Sequence, residues 1–316
     1  MSAPTGRLHG STARPKVTFG MPVYNGEAFL EEALRSLLAQ TYESFELLVS
    51  DNASTDRTST ICRDYASQDA RIVYSRNATN IGFSRNQNSV MQKATGKYFL
   101  LTHHDDVRLP SYLARTLEVM ERDDSIVVCY TKTRDIDRHG HPLPRKDPEL
   151  RFDSNRLRNR FRDTIRMDHL CEPDFGLIRL DVLRTTRLLG DYADSDRVLL
   201  AELVLHGRIH QVPECLFLRR THALQSTAAA PGRHARTVWF NPALEGKLIF
   251  PHFRQFKEYL AAIGRAPING RDRVWCYGEM LVWLQTNRRR LMGDLDAAGR
   301  HFLRPAYYAV MKKNSQ

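Results

Sequence analysis

Two adjacent carboxylates, Asp105 and Asp106, follow the short apolar run 98–102 and a pair of histidines, His103 and His104. Hard divalent cations prefer oxygen ligands, and Mg²⁺ is commonly bound by one or two carboxylates together with the phosphates of a substrate. Such a cation would neutralise the charge that develops on a diphosphate leaving group. The structural alternative is a solvated strand end, or a pair of residues that cap the next helix.

Two further acidic residues, Asp51 and Asp56, follow a second apolar run at 45–50. We expect Asp51 to accept hydrogen bonds from a bound ribose or base. Asp56 lies just before a helix that is predicted to start near Thr58. For Asp56 we therefore prefer the interpretation of a helix cap to that of a ligand contact.

A polar loop containing Asn80, Gly82, Arg85 and Asn86 leads into a predicted helix. Gly82 permits a tight turn, because glycine has no side chain to restrict its backbone. Arg85, near the start of the helix, could contact a phosphate together with the free N–H groups of the first helical turn. An ordinary turn with an exposed arginine is the alternative.

Two more carboxylates, Asp194 and Asp196, lie at the start of a helical pattern at 197–205, and His222 follows a predicted strand. A carboxylate that points into a substrate site could act as a general base. Alternatively, either aspartate could simply cap the helix. His222 could bind a metal through its neutral imidazole, although a lone histidine is more often structural.

Apolar runs and helical patterns alternate over the first 130 residues, and these elements must position the polar side chains. The predicted strands are 16–21, 45–50, 71–75, 98–102 and 126–130, and the predicted helices between them are 29–38, 58–66, 84–94 and 110–121. This rhythm predicts an α/β fold with a mostly parallel sheet flanked by helices. Ligands of such sheets bind beyond the carboxyl ends of the strands. The segments 22–25, 51–56 and 103–106 should therefore share one functional edge.

The pattern changes after residue 137. Residues 138–166 are rich in Arg and Pro, and we predict a loop or a loosely folded insertion there. We expect regular structure to return at 174–183, a strand at 209–218, and mainly helices from residue 239 onward. The predicted division is a disordered lead at 1–15, a sheet domain at 16–225 and a helical C-terminal extension at 226–316.

The composition narrows the classes of partner. Lys and Arg total 47 against 36 Asp and Glu, a formal net charge of +11. Such a surplus favours nucleic acid, phospholipid head groups or phosphate-bearing small molecules, unless it is merely an arginine-rich surface. The five widely spaced cysteines favour reduced thiols in the cytoplasm over a disulfide framework or a zinc ribbon. We predict neither a signal peptide nor a membrane span, whereas contact with a membrane surface stays open.

The stretch at 17–58, VTFGMPVYNGEAFLEEALRSLLAQTYESFELLVSDNASTDRT, resembles the start of family 2 glycosyltransferases, which are inverting enzymes of the GT-A fold. The resemblance extends over roughly residues 16–225. It implies that the nucleotide is bound by Pro22, Tyr24, Asn25 and Asp51. It also matches the loop and helix after the family's third strand to Asn80, Gly82, Arg85 and Asn86.

The resemblance also implies roles for the remaining candidates. The segment His103-His104-Asp105-Asp106 stands where many members have Asp-x-Asp-Asp, so that a histidine replaces the first aspartate. By this match Asp105 contacts the ribose and the metal, and Asp106 binds the metal. The Asp of the family's later Glu-Asp pair, its catalytic base, corresponds to Asp196, with Asp194 as the reserve candidate. The stretch at 203–222 resembles the family's end, where His222 would complete the metal site.

These observations predict an inverting glycosyltransferase that moves a sugar from a nucleotide-diphosphate sugar to an acceptor hydroxyl with the help of Mg²⁺ or Mn²⁺. The expected setting is the synthesis of a cell-envelope glycan, glycolipid or polysaccharide, with a glycan or lipid-linked acceptor. We expect a cytoplasmic protein at the inner face of the membrane, with peripheral membrane contact and no nucleic acid partner.

Three alternatives remain open at this point. A nucleotide-binding oxidoreductase fits the alternating pattern, but no G-x-G-x-x-G follows the first strand. A nucleic-acid-binding protein fits the charge, but a basic stripe with interleaved aromatic residues is missing from the sequence. A nucleotide-sugar binder without catalytic activity is the third alternative, because a histidine replaces the first aspartate of the motif.

Overall fold

The computed structural model describes residues 14–145, 151–223, 225 and 233–313. The strands are β1 (Val17–Val23), β2 (Phe45–Asp51), β3 (Ile72–Arg76), β4 (Tyr98–Leu101), β5 (Val107–Arg108), β6 (Ile126–Ile136), β7 (Leu177–Arg179) and β8 (Arg208–Arg220). The helices are α1 (Leu30–Leu38), α2 (Thr58–Gln68), α3 (Phe83–Lys93), α4 (Tyr112–Arg122), α5 (Leu157–Arg166), α6 (Leu180–Thr185), α7 (Ser195–His206), α8 (Arg233–Phe240), α9 (Pro251–Arg265) and α10 (Gly270–Lys313). A short 3₁₀ turn at Glu172–Phe175 precedes β7.

The strands form one mixed sheet in the order β3-β2-β1-β4-β7-β6-β8-β5. Strands β3, β2, β1 and β4 are parallel to one another, and β6 is parallel to β8. Strands β7 and β5 run antiparallel to their neighbours. The prediction of an α/β fold with a mostly parallel sheet flanked by helices is confirmed. The carboxyl ends of β1, β2 and β4 lie at one edge, as parallel strands require.

Helices cover both faces of the sheet because each presents a stripe of apolar residues to it. On one face α1, α2 and α4 bury side chains such as Leu34, Ile61 and Leu117 in a common core. On the other face α3, α5, α6, α7, α9 and α10 form a second core around residues such as Val90 and Leu199. Burial of apolar surface on both faces fixes the positions of the strand ends, from which the polar loops project.

The predicted loop at 138–166 is partly wrong, because its C-terminal third is helix α5. Phe161 and Ile165 of this helix are buried against the core, and Arg160 is buried with them. The Arg160 guanidinium donates hydrogen bonds to the carbonyl oxygens of Val204 and Ser154, which satisfies the buried charge with backbone acceptors. Counting arginines as surface residues therefore concealed the helical pattern. Residues 146–150 of this segment lie outside the described residues.

The C-terminal helices belong to the same packed body as the sheet. Tyr259 and Ile263 of α9 and Met280 and Trp283 of α10 are buried in the core that also contains α7. The boundary predicted near residue 225 stays a prediction, as does the lead at 1–15, of which residues 1–13 lie outside the described residues. In the described part of the chain, no helix combines the length and apolar character needed to cross a membrane.

Candidate active site

The end of β4 carries the first group of candidate residues. The ligand atoms of His103, Asp105 and Asp106 all lie within 4.8 Å of one another. Strand β5 begins directly after Asp106 and pairs with β8, so that Val107 lies opposite Leu218. This pairing brings His222, just beyond β8, to Asp105, and its Nε2 lies 2.9 Å from Oδ2 of the aspartate. The structure thus places His222 in contact with Asp105, one of the two carboxylates predicted to bind the metal with it.

Arg220 holds this group in place, although sequence analysis did not single it out. It is almost fully buried, its backbone N–H donates to Oδ1 of Asp106, and its Nε donates to the carbonyl oxygen of Asp105. Its Nη2 also donates to Oε2 of Glu32 in α1 at 2.6 Å. One side chain therefore connects β4, β8 and α1. In sequence the residue was visible only as one of two adjacent arginines at a strand end.

The two carboxylates at this edge have opposite protonation tendencies. Burial acts to raise the pKa of Asp105, but the hydrogen bond with His222 holds it below its ordinary range. Burial and the neighbouring charge of Asp105 raise the pKa of Asp106. Two carboxylates this close cannot easily both be ionised without a compensating cation. The pair is consequently suited to bind either a proton or a divalent metal.

The histidines at this edge also fit a metal site. Burial lowers the pKa of His103 to about 4, so its ring offers a lone pair at physiological pH. The Nδ1 atom of His222 is buried and has no hydrogen-bond partner among the described residues. Imidazole nitrogens and two carboxylates at one edge offer the nitrogen and oxygen donors that bind Mn²⁺ and similar ions. The residues present thus fit the predicted cation.

The predicted nucleotide residues lie at the ends of β1 and β2, but Asp51 is engaged within the protein. Its Oδ1 accepts the backbone N–H of Ser54, and its Oδ2 accepts hydrogen bonds from Tyr74 and Arg76. The aspartate is completely buried, so these contacts hold the loop after β2 in shape. Asp56 accepts the backbone N–H of Thr58, the first residue of α2, whereas the N-cap position itself is taken by Arg57.

The loop after β1 is tied to the loop after β2. Pro22 is buried within β1, whereas Tyr24 is 45% exposed at the edge. Asn25 adopts a positive φ of 50°, and its Oδ1 accepts the backbone N–H of Thr55. The close approach of His104 to Gly26, whose added Cβ would lie 2.6 Å from the ring, joins the same edge to β4. Tyr24 and Asn25 are therefore the nucleotide candidates of this loop that are exposed at the edge.

The third strand is followed by a rigid polar network. Asn80 accepts hydrogen bonds from the side-chain amide of Asn52 and the backbone N–H of Gly82. Asn86 bonds to both the side chain and the carbonyl oxygen of Ser50. Arg85, predicted to contact a phosphate, is largely exposed and forms an ion pair with Asp191 at 3.1 Å. Because the side chain of Arg85 is exposed, it could leave Asp191 and bind a ligand instead.

A second acidic group lies at the start of α7. The ligand atoms of Cys171, Asp174 and Asp196 are within 4.8 Å of one another. Asp196 is partly exposed, and its Oδ1 accepts the backbone N–H of Arg197. Burial and the charge of Asp194 raise the pKa of Asp196, which favours a group that can take up a proton. Sequence analysis missed Cys171 and Asp174, because they stand in an irregular segment without a recognisable pattern.

Aromatic contacts connect the two acidic groups. The ring centroid of His103 is 4.9 Å from that of Phe175, which directly follows Asp174. Phe83, at the start of α3, packs against His103 and against Phe240 of α8. The carbonyl oxygen of Phe175 accepts hydrogen bonds from Arg108 and Tyr112, which fixes this segment to the sheet. The loops with the candidate metal ligands and the candidate base are therefore neighbours.

Comparison with known proteins identifies related chains. An uncharacterised glycosyltransferase of Methanocaldococcus jannaschii is 30% identical over 142 residues, which cover 44% of this chain and 49% of the relative. The uncharacterised glycosyltransferase EpsJ of Bacillus subtilis is 27% identical over 247 residues, covering 75% of this chain and 70% of EpsJ. The chain spans about half the length of the first of these relatives.

Solved structures share the fold. Residues 1–349 of TarS from S. aureus in complex with UDP-GlcNAc superimpose with a TM-score of 0.65 and 17% identity, over 90% of this chain and 81% of that one. A mannosyltransferase of Pyrobaculum calidifontis in complex with GDP-Man and Mn²⁺ gives a TM-score of 0.50 and 19% identity, over 92% and 81% of the two chains. These similarities confirm the GT-A-like fold.

The family itself is settled by sequence. The family model described as "Glycosyl transferase family 2" matches residues 18–185, more than half of the chain. The matched range includes the strand ends of β1, β2 and β4 with Asp105 and Asp106, but ends before Asp196 and His222. The chain therefore belongs to glycosyl transferase family 2.

Proposed function

We propose that the chain transfers a sugar from a nucleotide-diphosphate sugar to an acceptor hydroxyl, with inversion at the anomeric carbon. The observation that carries this proposal is the cluster of His103, Asp105 and Asp106 at the edge of the sheet, with His222 in contact with Asp105. This cluster lies next to the segment that leads from Asp174 to Phe175. A diphosphate leaving group and a proton acceptor for the attacking hydroxyl can both be accommodated there. The reaction requires these two functions in neighbouring positions.

The donor would bind over the ends of β1, β2 and β4. We assign the nucleotide to Pro22, Tyr24, Asn25 and the loop that Asp51 holds, and the ribose to Asp105. The polar loop with Asn80 and Gly82 would border the base, and Arg85 would turn from Asp191 to a phosphate. The similar structures contain UDP-GlcNAc and GDP-Man in turn, so both uridine and guanosine donors are to be tested.

Mg²⁺ or Mn²⁺ would be held by Asp106, Asp105 and the imidazole of His222. Bound there, the ion would supply the positive charge that a departing nucleoside diphosphate needs. Arg220 keeps both carboxylates in position through its backbone N–H and its guanidinium group. The replacement of the family's first aspartate by His103 adds a neutral nitrogen donor to this edge, which suits Mn²⁺ better than Mg²⁺.

Asp196 would act as the general base, with Asp194 as the reserve. Its partly exposed carboxylate lies at the N-terminus of α7 and could remove the proton of the acceptor hydroxyl as that oxygen attacks the sugar. A general base typically contributes about 10²–10⁴-fold to the rate. Direct attack from the side opposite the leaving group in a single displacement inverts the configuration.

The assignment of the base can be tested with Asp196→Asn, and Asp181→Asn serves as the matched control because Asp181 is exposed on α6. Transfer from UDP-GlcNAc or GDP-Man to a panel of glycosides would be followed by product formation, and the anomeric configuration would be read by NMR. We expect Asp196→Asn to lower kcat by about 10²–10⁴-fold while the control stays active. Full activity of Asp196→Asn would contradict the assignment.

We further propose that the protein works at an anionic membrane surface on a lipid-linked or cell-envelope acceptor, inside the cell. The exposed side of α10 supports this, since Val274, Leu281, Met292 and Leu295 project from it alongside the exposed arginines at 288–290. Apolar residues flanked by arginines favour binding to anionic head groups. We expect the protein to pellet with phosphatidylglycerol vesicles at low salt. Failure to pellet with these anionic vesicles would contradict the proposal.

A further inference from the structure

The group of Cys171, Asp174 and Asp196 contains a buried polar atom that the protein leaves unsatisfied. Asp174 is only 7% exposed, and its Oδ1 atom has no hydrogen-bond partner within the part of the chain that the structure describes. A buried oxygen of this kind costs about 1–3 kcal/mol unless a donor or a cation reaches it. The ligand atoms of Cys171 and Asp196 lie within 4.8 Å of that carboxylate. The space between them therefore suits a small partner for Oδ1, such as a metal ion.

A fourth side chain adjoins the same thiol, and its Nδ1 also accepts the backbone N–H of Cys171 at 3.3 Å. The Nε2 atom of His169 lies 3.1 Å from the carbonyl oxygen of Thr164, a pure acceptor, so Nε2 carries the proton. Its Nδ1 lies 3.5 Å from the sulfur of Cys171. Burial lowers the pKa of His169 to about 4, which keeps the ring neutral. A histidine whose second nitrogen donates to a backbone carbonyl is the usual arrangement of a metal-binding imidazole.

The separation between the Cys171 thiol and the His169 ring matches that of two ligands of one tetrahedral ion. With Zn–S near 2.3 Å and Zn–N near 2.0–2.1 Å, sulfur and nitrogen ligands of one zinc ion stand about 3.5 Å apart. This equals the observed distance from Cys171 to His169. A hydrogen bond from the thiol to Nδ1 would give the same distance, but it would leave Oδ1 of Asp174 without a partner. A cation satisfies both observations.

Nearby guanidinium groups balance only part of the local carboxylate charge. Asp194 faces Arg236 at 3.8 Å, and Arg197 is the guanidinium that acts on Cys171 and Asp196. Arg197 directs its own hydrogen bonds to Asp168 and to the carbonyl oxygen of His169. The neighbouring Glu172 is already paired with Arg145. A divalent cation would compensate the remaining carboxylate charge.

We propose that Cys171, Asp174 and Asp196 form a second metal site, with His169 as the candidate fourth ligand beside the thiol, which binds a thiophilic divalent cation of the Zn²⁺ type. The Cys171 thiol loses its proton to solvent as the metal–sulfur bond forms, and no oxidant or reductant is needed. The site is distinct from the one at Asp105 and Asp106, which contains no sulfur. Its effect on activity rests on the proposed function: a cation on Asp196 would block the general base, so Zn²⁺ would inhibit transfer.

Cobalt(II) provides a test that does not depend on transfer activity, because a Co²⁺–thiolate bond produces intense near-ultraviolet absorption. We expect the reduced full chain to develop this absorption on titration with CoCl₂ and to lose it on addition of ZnCl₂. Cys171→Ser should abolish the absorption, whereas Cys215→Ser on β8 should retain it. Asp174→Asn should weaken cobalt binding at least about tenfold, as loss of a ligand does, and Asp106→Asn should retain it.

Absence of the absorption from the wild-type chain at saturating Co²⁺, or its persistence in Cys171→Ser, would overturn the site. Should Cys171→Ser fail to fold, as circular dichroism would reveal, the comparison of Asp174→Asn with Asp181→Asn decides the matter. Equal cobalt affinity in these two variants would also overturn it. A sulfur-dependent absorption in a protein that transfers no sugar would support the site and reject only the proposed function.

Discussion

The Nε2 atom of His222 lies 2.9 Å from Oδ2 of Asp105, although 117 positions separate the two residues. The contact arises because β5, directly after Asp106, pairs with the end of β8. The candidate cation site therefore forms only when both halves of the chain have folded together. Loss of this histidine should act on metal binding more than on the fold.

We predict that His222→Ala raises the Mn²⁺ concentration needed for half-maximal activity by about 10–100-fold, the range found when ligands or their partners are lost. The exposed His139 offers a matched control, and His139→Ala should leave the metal dependence unchanged. The measurement is a Mn²⁺ titration of initial rates at saturating donor. Equal half-saturation in the two variants would show that His222 does not take part in metal binding.

Arg220→Met should destabilise the protein, because the guanidinium satisfies the buried carbonyl oxygen of Asp105 and the carbonyl oxygen of Asp137. A buried acceptor without a donor costs about 1–3 kcal/mol. Arg122→Met, at a mostly exposed ion pair on α4, should cost less than about 1 kcal/mol. Urea unfolding of both variants measures the difference. A loss no larger for Arg220→Met than for Arg122→Met would remove the scaffold role of Arg220.

Gly82→Ala and Gly293→Ala should change stability in opposite directions. Gly82 has a φ of 90°, and an added Cβ would lie 3.0 Å from the carbonyl oxygen of Phe240. Strain of this type costs about 1–3 kcal/mol. Gly293 lies within α10 with open space at its Cβ position, so alanine should stabilise the helix by about 0.5–1 kcal/mol. Thermal unfolding of both variants tests the pair, and a stabilised Gly82→Ala would refute the predicted strain.

The pH dependence of transfer should reveal the influence of Asp194 on the base. The base must be deprotonated, so kcat/KM should fall as the pH drops through the pKa of Asp196. Burial and the negative charge of Asp194 raise that pKa. Asp194→Asn removes the charge, lowers the pKa of Asp196, and should shift the acidic limb of the profile to lower pH. An unchanged limb, or a shift to higher pH, would speak against Asp196 as the base.

The sequence predicted the elements whose apolar periods are long enough to recognise. Strands β1 to β4 and helices α1 to α4 were predicted within a few residues, because each buries a regular stripe. Strands β5 and β7 are two and three residues long and carry no such period. Helix α5 was missed because its buried Arg160 is satisfied by backbone carbonyl oxygens, a pairing that composition does not reveal.

The site could be predicted only where residues adjoin a strand end. Asp105 and Asp106 were found in this way, whereas the contact with His222 rested on resemblance to the family, since no local pattern links residues so distant. Asp51 accepts its hydrogen bonds from Tyr74 and Arg76, which belong to the neighbouring strand β3. Sequence periodicity predicts the strands but does not reveal which side chains donate hydrogen bonds to a given carboxylate.

The most direct test of the central claim is metal-dependent donor binding, measured by thermal shift with UDP-GlcNAc and GDP-Man in the presence and absence of Mn²⁺. A ligand that binds the folded state raises the unfolding temperature. We predict that one donor stabilises the wild-type chain and Asp196→Asn only when Mn²⁺ is present, and that Asp106→Asn loses this effect. Metal-dependent stabilisation that persists undiminished in Asp106→Asn would contradict the account.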